Sequence, residues 1–150
     1  SRILVEPAVT AREIECAVLG NAQPVAFPPG EVIPHHEFYS YEAKYEDPEG
    51  ASLKLPADLP EPVRARIMDL AVDAFEAVGA AGMARVDFFL EKSTERILLN
   101  EINTIPGFTN ISMYPKMCEA AGLPCPRLLD RLVELALERY TAQRGLRYTR

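Results

Sequence analysis

The run Gly82-Met-Ala-Arg-Val-Asp-Phe-Phe-Leu-Glu-Lys-Ser-Thr-Glu-Arg-Ile-Leu-Leu-Asn-Glu-Ile-Asn103 reads as a β-hairpin. Met83 to Leu90 and Arg96 to Ile102 are β-branched, aromatic or apolar runs, and the polar Glu91-Lys-Ser-Thr-Glu95 between them makes a loop. They are expected to be the two central strands of a sheet. In a strand, residues i and i+2 point to the same face, so Arg85 emerges with Asp87, and Glu101 with Asn103. Pairing the two strands can bring all four to one face. Two carboxylates and an amide oxygen are hard ligands suited to Mg²⁺, which keeps few protein ligands when substrate phosphates supply the rest. An arginine beside them places a fixed positive charge where a phosphoryl group develops negative charge. The alternative is four solvated polar positions on a half-exposed sheet; four complementary groups at matched spacing weigh against it.

Downstream, Asn103-Thr-Ile-Pro-Gly-Phe-Thr-Asn-Ile-Ser-Met-Tyr-Pro115 is a loop leading toward a helix. Gly107 in it permits close backbone approach, and its N–H can face an oxyanion. Lys116 to Ala121 reads as a short helix ended by Gly122, Pro126 to Tyr140 as a long helix, and Gln143 to Arg150 as a fraying tail. Upstream, Glu61 to Val78 has apolar residues at helical spacing and a stop at Gly79. Glu31 to Pro56 shows no sustained period and reads as a long connection, functional or mobile. Val25 to Phe27 is a short extended run, while Ala11 to Leu19 and Arg2 to Glu6 read as strands. The sum is an α+β fold with a mainly antiparallel sheet flanked by helices.

With 150 residues, 48% hydrophobic and 25% charged, the chain has the balance of one ordinary globular domain, which excludes collagen, low-complexity disorder and a disulfide scaffold. Sixteen basic against 22 acidic residues give a net charge of −6, with no basic stripe, so nucleic acid is not an expected partner. Apolar runs are short, as in Ala71 to Val78 broken by Asp73 and Glu76, so no membrane span is expected. Three cysteines, Cys16, Cys118 and Cys125, without paired spacing fit a reducing compartment, and the expected location is the cytoplasm. His35-His36 has no third ligand at useful spacing and receives no role. The opening Ser1-Arg-Ile-Leu lacks an initiator Met and a leader, which reads as a piece of something longer.

Four segments, in order, resemble one family. Asn100 to Lys116 resembles the signature of D-alanine:D-alanine ligases of the ATP-grasp superfamily, and Gly82 to Phe89 the metal-binding strand preceding it. Tyr39-Ser-Tyr-Glu-Ala-Lys-Tyr45 is similar to the family's mobile active-site loop, and Val5 to Glu15 to the segment after its adenine-contacting strand.

This resemblance implies a carboxy-terminal catalytic lobe. Residues 1–27 would be the end of the nucleotide-binding lobe and hinge, 28–60 the mobile loop, 61–142 the metal- and substrate-binding core, and 143–150 a tail. The amino-terminal and most of the central domain would be absent; the family's glycine-rich phosphate loop has no counterpart among eight scattered glycines. Asp87, Glu101 and Asn103 match the ligands of two Mg²⁺ or Mn²⁺ ions, with Glu101 bridging. Arg85 matches the catalytic arginine, and Gly107 the donor to the tetrahedral oxyanion. Ser112 and Met113 match the holders of the second D-alanine's carboxylate. Glu6 and Val9 match the adenine hinge, Glu13 a ribose partner, Lys44 a phosphate contact, and Tyr45 the aromatic that closes over the second substrate; Phe89 and Asn100 match residues lining the nucleotide pocket. The implied activity is ATP-dependent joining of two D-alanines through an acyl phosphate for peptidoglycan precursors, with a homodimer as the full-length enzyme and the fragment alone inactive. D-alanine:D-lactate ligation, another ATP-grasp carboxylate–amine ligation and a non-catalytic nucleotide-binding module are the alternatives; Tyr45 resembles the dipeptide-forming version of the loop.

Overall fold

Along strand β1 (Ala11–Gly20), buried Ile14, Cys16 and Val18 alternate with Glu13, Glu15, Ala17 and Leu19, and this alternation sets the two faces of the sheet. The computed structural model describes residues 3, 5–34, 51–109 and 111–145. After β1 come β2 (Val25–Ala26), β3 (Gly30–Pro34), β4 (Ala51–Lys54), α1 (Glu61–Ala77), β5 (Gly82–Glu91), β6 (Ile97–Asn103), α2 (Met113–Ala120) and α3 (Cys125–Gly145). The sheet runs β4-β3-β1-β5-β6 with β2 paired to β1, and every pairing is antiparallel.

One face is covered by α1, whose Ile67, Ala71 and Phe75 recur at helical spacing and meet Ile14, Cys16, Val18, Ala84, Val86 and Phe88. Pro62 sits in the first turn of α1, where its missing N–H costs nothing. The helix ends as its sequence indicates: Gly79 takes φ +64°, its N–H donates to the Glu76 carbonyl, and that of Ala80 donates to the Phe75 carbonyl. The opposite face is only part covered. Met113, Tyr114, Met117 and Cys118 of α2 with Leu128 and Leu135 of α3 pack over Ala17, Leu19 and Val32. Tyr114 pins α2 to the sheet by donating its hydroxyl to the Val18 carbonyl at 3.0 Å. Beyond these helices the same face carries Glu13, Glu15, Arg85 and Asp87.

Four expectations are corrected. Among the described residues, Ile3 and residues 5–10 form no strand; Ile3 and Val5 are 87% and 86% exposed. A strand needs an edge to bond and a face to bury, and this segment's tie to the hairpin is the Thr10 carbonyl accepting from the Lys92 N–H. The hairpin does not supply both central strands: β5 is interior, paired with β1 over its whole length, and β6 is at the edge. The connection Glu31 to Pro56 is framed by strands, since its ends form β3 and β4. The two C-terminal helices also start earlier than their periodicity indicates, α2 at Met113 with Pro115 in its first turn and α3 at Cys125.

Candidate active site

The β5–β6 ladder sets Arg85 opposite Asn103 and Asp87 opposite Glu101. An irregularity makes this possible. Phe88 pairs with Leu99 but Asp87 pairs with Glu101, so Asn100 is an extra residue on β6. Were Asn100 paired in a regular ladder, the two-residue period would turn Glu101 and Asn103 toward the α1 face. The bulge resets the alternation and brings both to the face of Arg85 and Asp87.

The four side chains form one bonded network. Arg85 grips Asp87 with two parallel bonds, Nε to Oδ1 and Nη2 to Oδ2, each 2.8 Å. Asn103 Nδ2 donates at 3.1 Å to Asp87 Oδ2 and at 3.1 Å to Glu101 Oε1. Asp87 is buried and Glu101 exposed, so the network runs from the sheet interior to its edge. A charged neighbour of this network, an ion-pair partner of Arg85, was not singled out by sequence reasoning. Glu15, directly opposite Asp87 on β1, places Oε2 3.1 Å from Arg85 Nε. Its position on the site face was visible in the β1 alternation, but its partner lies on a distant strand.

A cavity of about 130 Å³ joins this network to the loop before α2, with Glu15, Arg85, Glu101, Asn103, Gly107, Ser112 and Met113 among its walls. At Gly107 a Cβ would lie 2.8 Å from Ser112 Oγ, so a side chain there would displace that hydroxyl. Ser112 occupies the N-cap position of α2 without a side-chain bond to the helix, and its Oγ instead accepts from the Thr109 N–H at 3.0 Å. The Met113 N–H belongs to the first turn of α2, where backbone donors have no intrahelical acceptor.

A second cleft, of about 460 Å³, is walled by residues 6–9 together with Phe89, Leu98, Leu99 and Asn100. It gathers four of the residues expected around a nucleotide: Glu6, Val9, Phe89 and Asn100. Glu13 is on the site face beside Phe89 in the β1–β5 register and is not among the walls of that cleft. Lys44, Tyr45 and the His35-His36 pair lie outside the described residues.

Asp87, Glu101 and Asn103 fit a hard divalent cation by donor type: two carboxylates and an amide oxygen within one bonded cluster. In the arrangement drawn, the amide N–H₂ of Asn103 faces the carboxylates; a half-turn of that amide would present its oxygen instead. Among the described residues no three Asp, Glu, His or Cys side chains gather at ligand spacing, and no helix is long and apolar enough to cross a membrane. Cys16 is buried in the layer under α1, and burial, with a smaller push from the Asp87 charge, moves its thiol up to about 12.

The sequence profile of a family described as D-ala D-ala ligase C-terminus matches residues 1–134. A D-alanine–D-alanine ligase of Coxiella burnetii is 60% identical over 145 residues, 97% of this chain and 39% of the relative. One of Treponema denticola is 55% identical over 150 residues, all of this chain and 41% of the relative. The solved structure of the D-alanine–D-alanine ligase from Coxiella burnetii superposes with a TM-score of 0.80 at 53% identity, covering 93% of this chain and 36% of that one. The chain thus spans about two fifths of the length of the curated relatives it matches.

Proposed function

Because this chain belongs to the D-ala D-ala ligase C-terminus family, we propose that it supplies the carboxy-terminal catalytic part of an ATP-dependent ligase joining two D-alanines. The observation that carries this reading is the cavity that sets Arg85, Glu101 and Asn103 against Gly107, Ser112 and Met113. Charge-handling groups stand on one wall, and oxyanion and carboxylate donors on the other.

In the proposed reaction an oxygen of the first D-alanine's carboxylate attacks the γ-phosphorus of ATP; ADP leaves and an acyl phosphate forms. The amine of the second D-alanine then attacks the acyl carbon, and inorganic phosphate leaves from a tetrahedral intermediate. Arg85 places its fixed charge beside the transferring phosphoryl group. The Gly107 N–H donates to the oxyanion of the tetrahedral intermediate. Ser112, through its hydroxyl, and Met113, through its N–H at the positive end of α2, hold the second D-alanine's carboxylate. Asp87, Glu101 and Asn103 would hold Mg²⁺ or Mn²⁺, two ions with Glu101 shared, whose chemistry is to offset phosphate charge. Glu6 and Val9 contact the adenine, with Phe89 and Asn100 lining its cleft, Glu13 bonds the ribose, Lys44 a phosphate, and Tyr45 closes over the second substrate. The three free cysteines support a reducing, cytoplasmic setting, and the family resemblance carries the expectation of a homodimer for the full-length enzyme.

The test is a chimera in which this chain replaces the matching segment of the Coxiella burnetii relative. It should release phosphate from ATP dependent on D-alanine and form D-alanyl-D-alanine, while the 150-residue chain alone should release none. A folded chimera without dipeptide product, or D-alanine-dependent release by the chain alone, would overturn the reading.

A further inference from the structure

Arg85 is held by more than its own strand. Its guanidinium is gripped by Asp87 two residues along β5, but Asp87 also accepts from Asn103 at 3.1 Å, so that carboxylate is divided among partners. The second hold comes from β1. Glu15 lies opposite Asp87 in the ladder, and its Oε2 is 3.1 Å from Arg85 Nε. Side chains of Glu15, Arg85 and Asp87 are 13%, 16% and 12% exposed, so water screens these ion pairs little.

Two carboxylates directly opposed across an antiparallel ladder repel each other, and a cation between them removes that cost. Here the cation is Arg85. Glu15 also walls the cavity that holds Glu101, Asn103, Gly107 and Ser112, which places it beside the reacting groups. It does not join Asp87 and Glu101 in a three-carboxylate ligand set, since no such group forms among the described residues.

We propose that Glu15 is the positioning residue for Arg85, fixing the guanidinium from the neighbouring strand so that its aim does not depend on Asp87 alone. This rests on the ligase reading given above and extends it to a residue outside the family-matched site. β1 is bonded to β5 along ten consecutive residue pairs, so the anchor point of Glu15 is rigid relative to Arg85. An arginine held from one side only can rotate about its terminal torsions whenever Asp87 is drawn toward another partner. Misplacement of an electrostatic group lowers the rate of the chemical step more than it weakens substrate binding.

The test uses Glu15→Gln, which removes the charge at nearly constant volume, and Glu15→Asp, which keeps the charge with shorter reach. In the chimera, Glu15→Gln should lower kcat about tenfold with KM for ATP and D-alanine moved less than about twofold, and Glu15→Asp should recover part of that loss. In the ¹⁵N-labelled 150-residue chain the Nε–H of Arg85 should shift and exchange faster with water in Glu15→Gln than in the parent. An unchanged Nε–H signal, an unchanged kcat, or a Glu15→Asp variant no better than Glu15→Gln would overturn the proposal. If the unsubstituted chimera makes no dipeptide, the ligase reading has failed, and the Nε–H signal still decides whether Glu15 holds Arg85.

Discussion

Asp87 stands directly opposite Glu101 across the β5–β6 ladder, two carboxylates on one face of the sheet. Directly opposed like charges are unfavourable in a ladder, and here Asn103 bridges them with one N–H₂ group while Arg85 balances Asp87. Such an arrangement favours a site over a scaffold. Glu101→Gln, at an exposed position, should therefore change the unfolding free energy of the chain by no more than about 0.5 kcal/mol. In the chimera, on the proposed reading, it should raise the Mg²⁺ concentration for half-maximal turnover by about tenfold, because ligand charge sets affinity for a hard cation. Chemical denaturation and a Mg²⁺ titration of turnover check the two halves; an unchanged Mg²⁺ requirement would count against the ligand role.

The bulge at Asn100 carries a sharper expectation. Deleting Asn100 removes the extra residue, so β6 pairs regularly with Asp87 still opposite Glu101 and Arg85 still opposite Asn103. The deletion should keep the fold and, on the proposed reading, the Mg²⁺ dependence of turnover in the chimera, and it should raise KM for ATP because one wall of the second cleft is lost. Asn100→Ala keeps the residue count, so it should retain the register and the site. Nuclear Overhauser contacts between the β5 and β6 backbones distinguish the two. A deletion variant in which Asp87 no longer stands opposite Glu101 would contradict the reading of Asn100 as the extra residue.

Much of this was readable in the sequence because it is local. The i, i+2 spacing of Arg85 with Asp87 and of Glu101 with Asn103 announced a shared face, and the stops at Gly79 and Gly122 were read from glycine positions that now show φ +64° and +90°. The extra residue in β6 was not readable, because Leu98-Leu-Asn-Glu101 fits an unbroken strand equally well, and only the pairing register shows which residue is skipped. Nor was Glu15: its partner is reached through β1–β5 pairing, a contact between distant parts of the chain that leaves no local periodicity. At the start, the described residues Ile3, Val5 and Glu6 form no strand for the opposite reason: a β-rich composition that meets no strand edge among the described residues.

Burial of the thiols gives a pH prediction. Cys16 and Cys118 are buried, and loss of solvation raises each from an ordinary 9.0 to about 12, with the Asp87 charge adding to the rise at Cys16. Between those values the unfolded chain gives up thiol protons that the folded chain keeps. Their contribution to stability is therefore full below the unfolded value and is lost as pH climbs toward the folded one. The urea midpoint should fall on raising the pH from about 8 to about 10.5, and Cys16→Ala should fall less steeply. At about pH 8 a disulfide reagent should modify Cys125 rapidly and the two buried thiols only on unfolding. Equal rates at all three would contradict the packing described.

The most direct measurement is a crystal structure of the chimera with Mg²⁺ and a non-hydrolysable ATP analogue. The prediction is metal density about 2.1 Å from oxygens of Asp87, Glu101 and Asn103, the amide of Asn103 turned to present its oxygen. Adenine should lie in the cleft walled by Glu6, Val9, Phe89 and Asn100. Metal and nucleotide bound elsewhere, with Asp87, Glu101 and Asn103 still bonded only to one another, would contradict the assignment of this sheet face as the catalytic site.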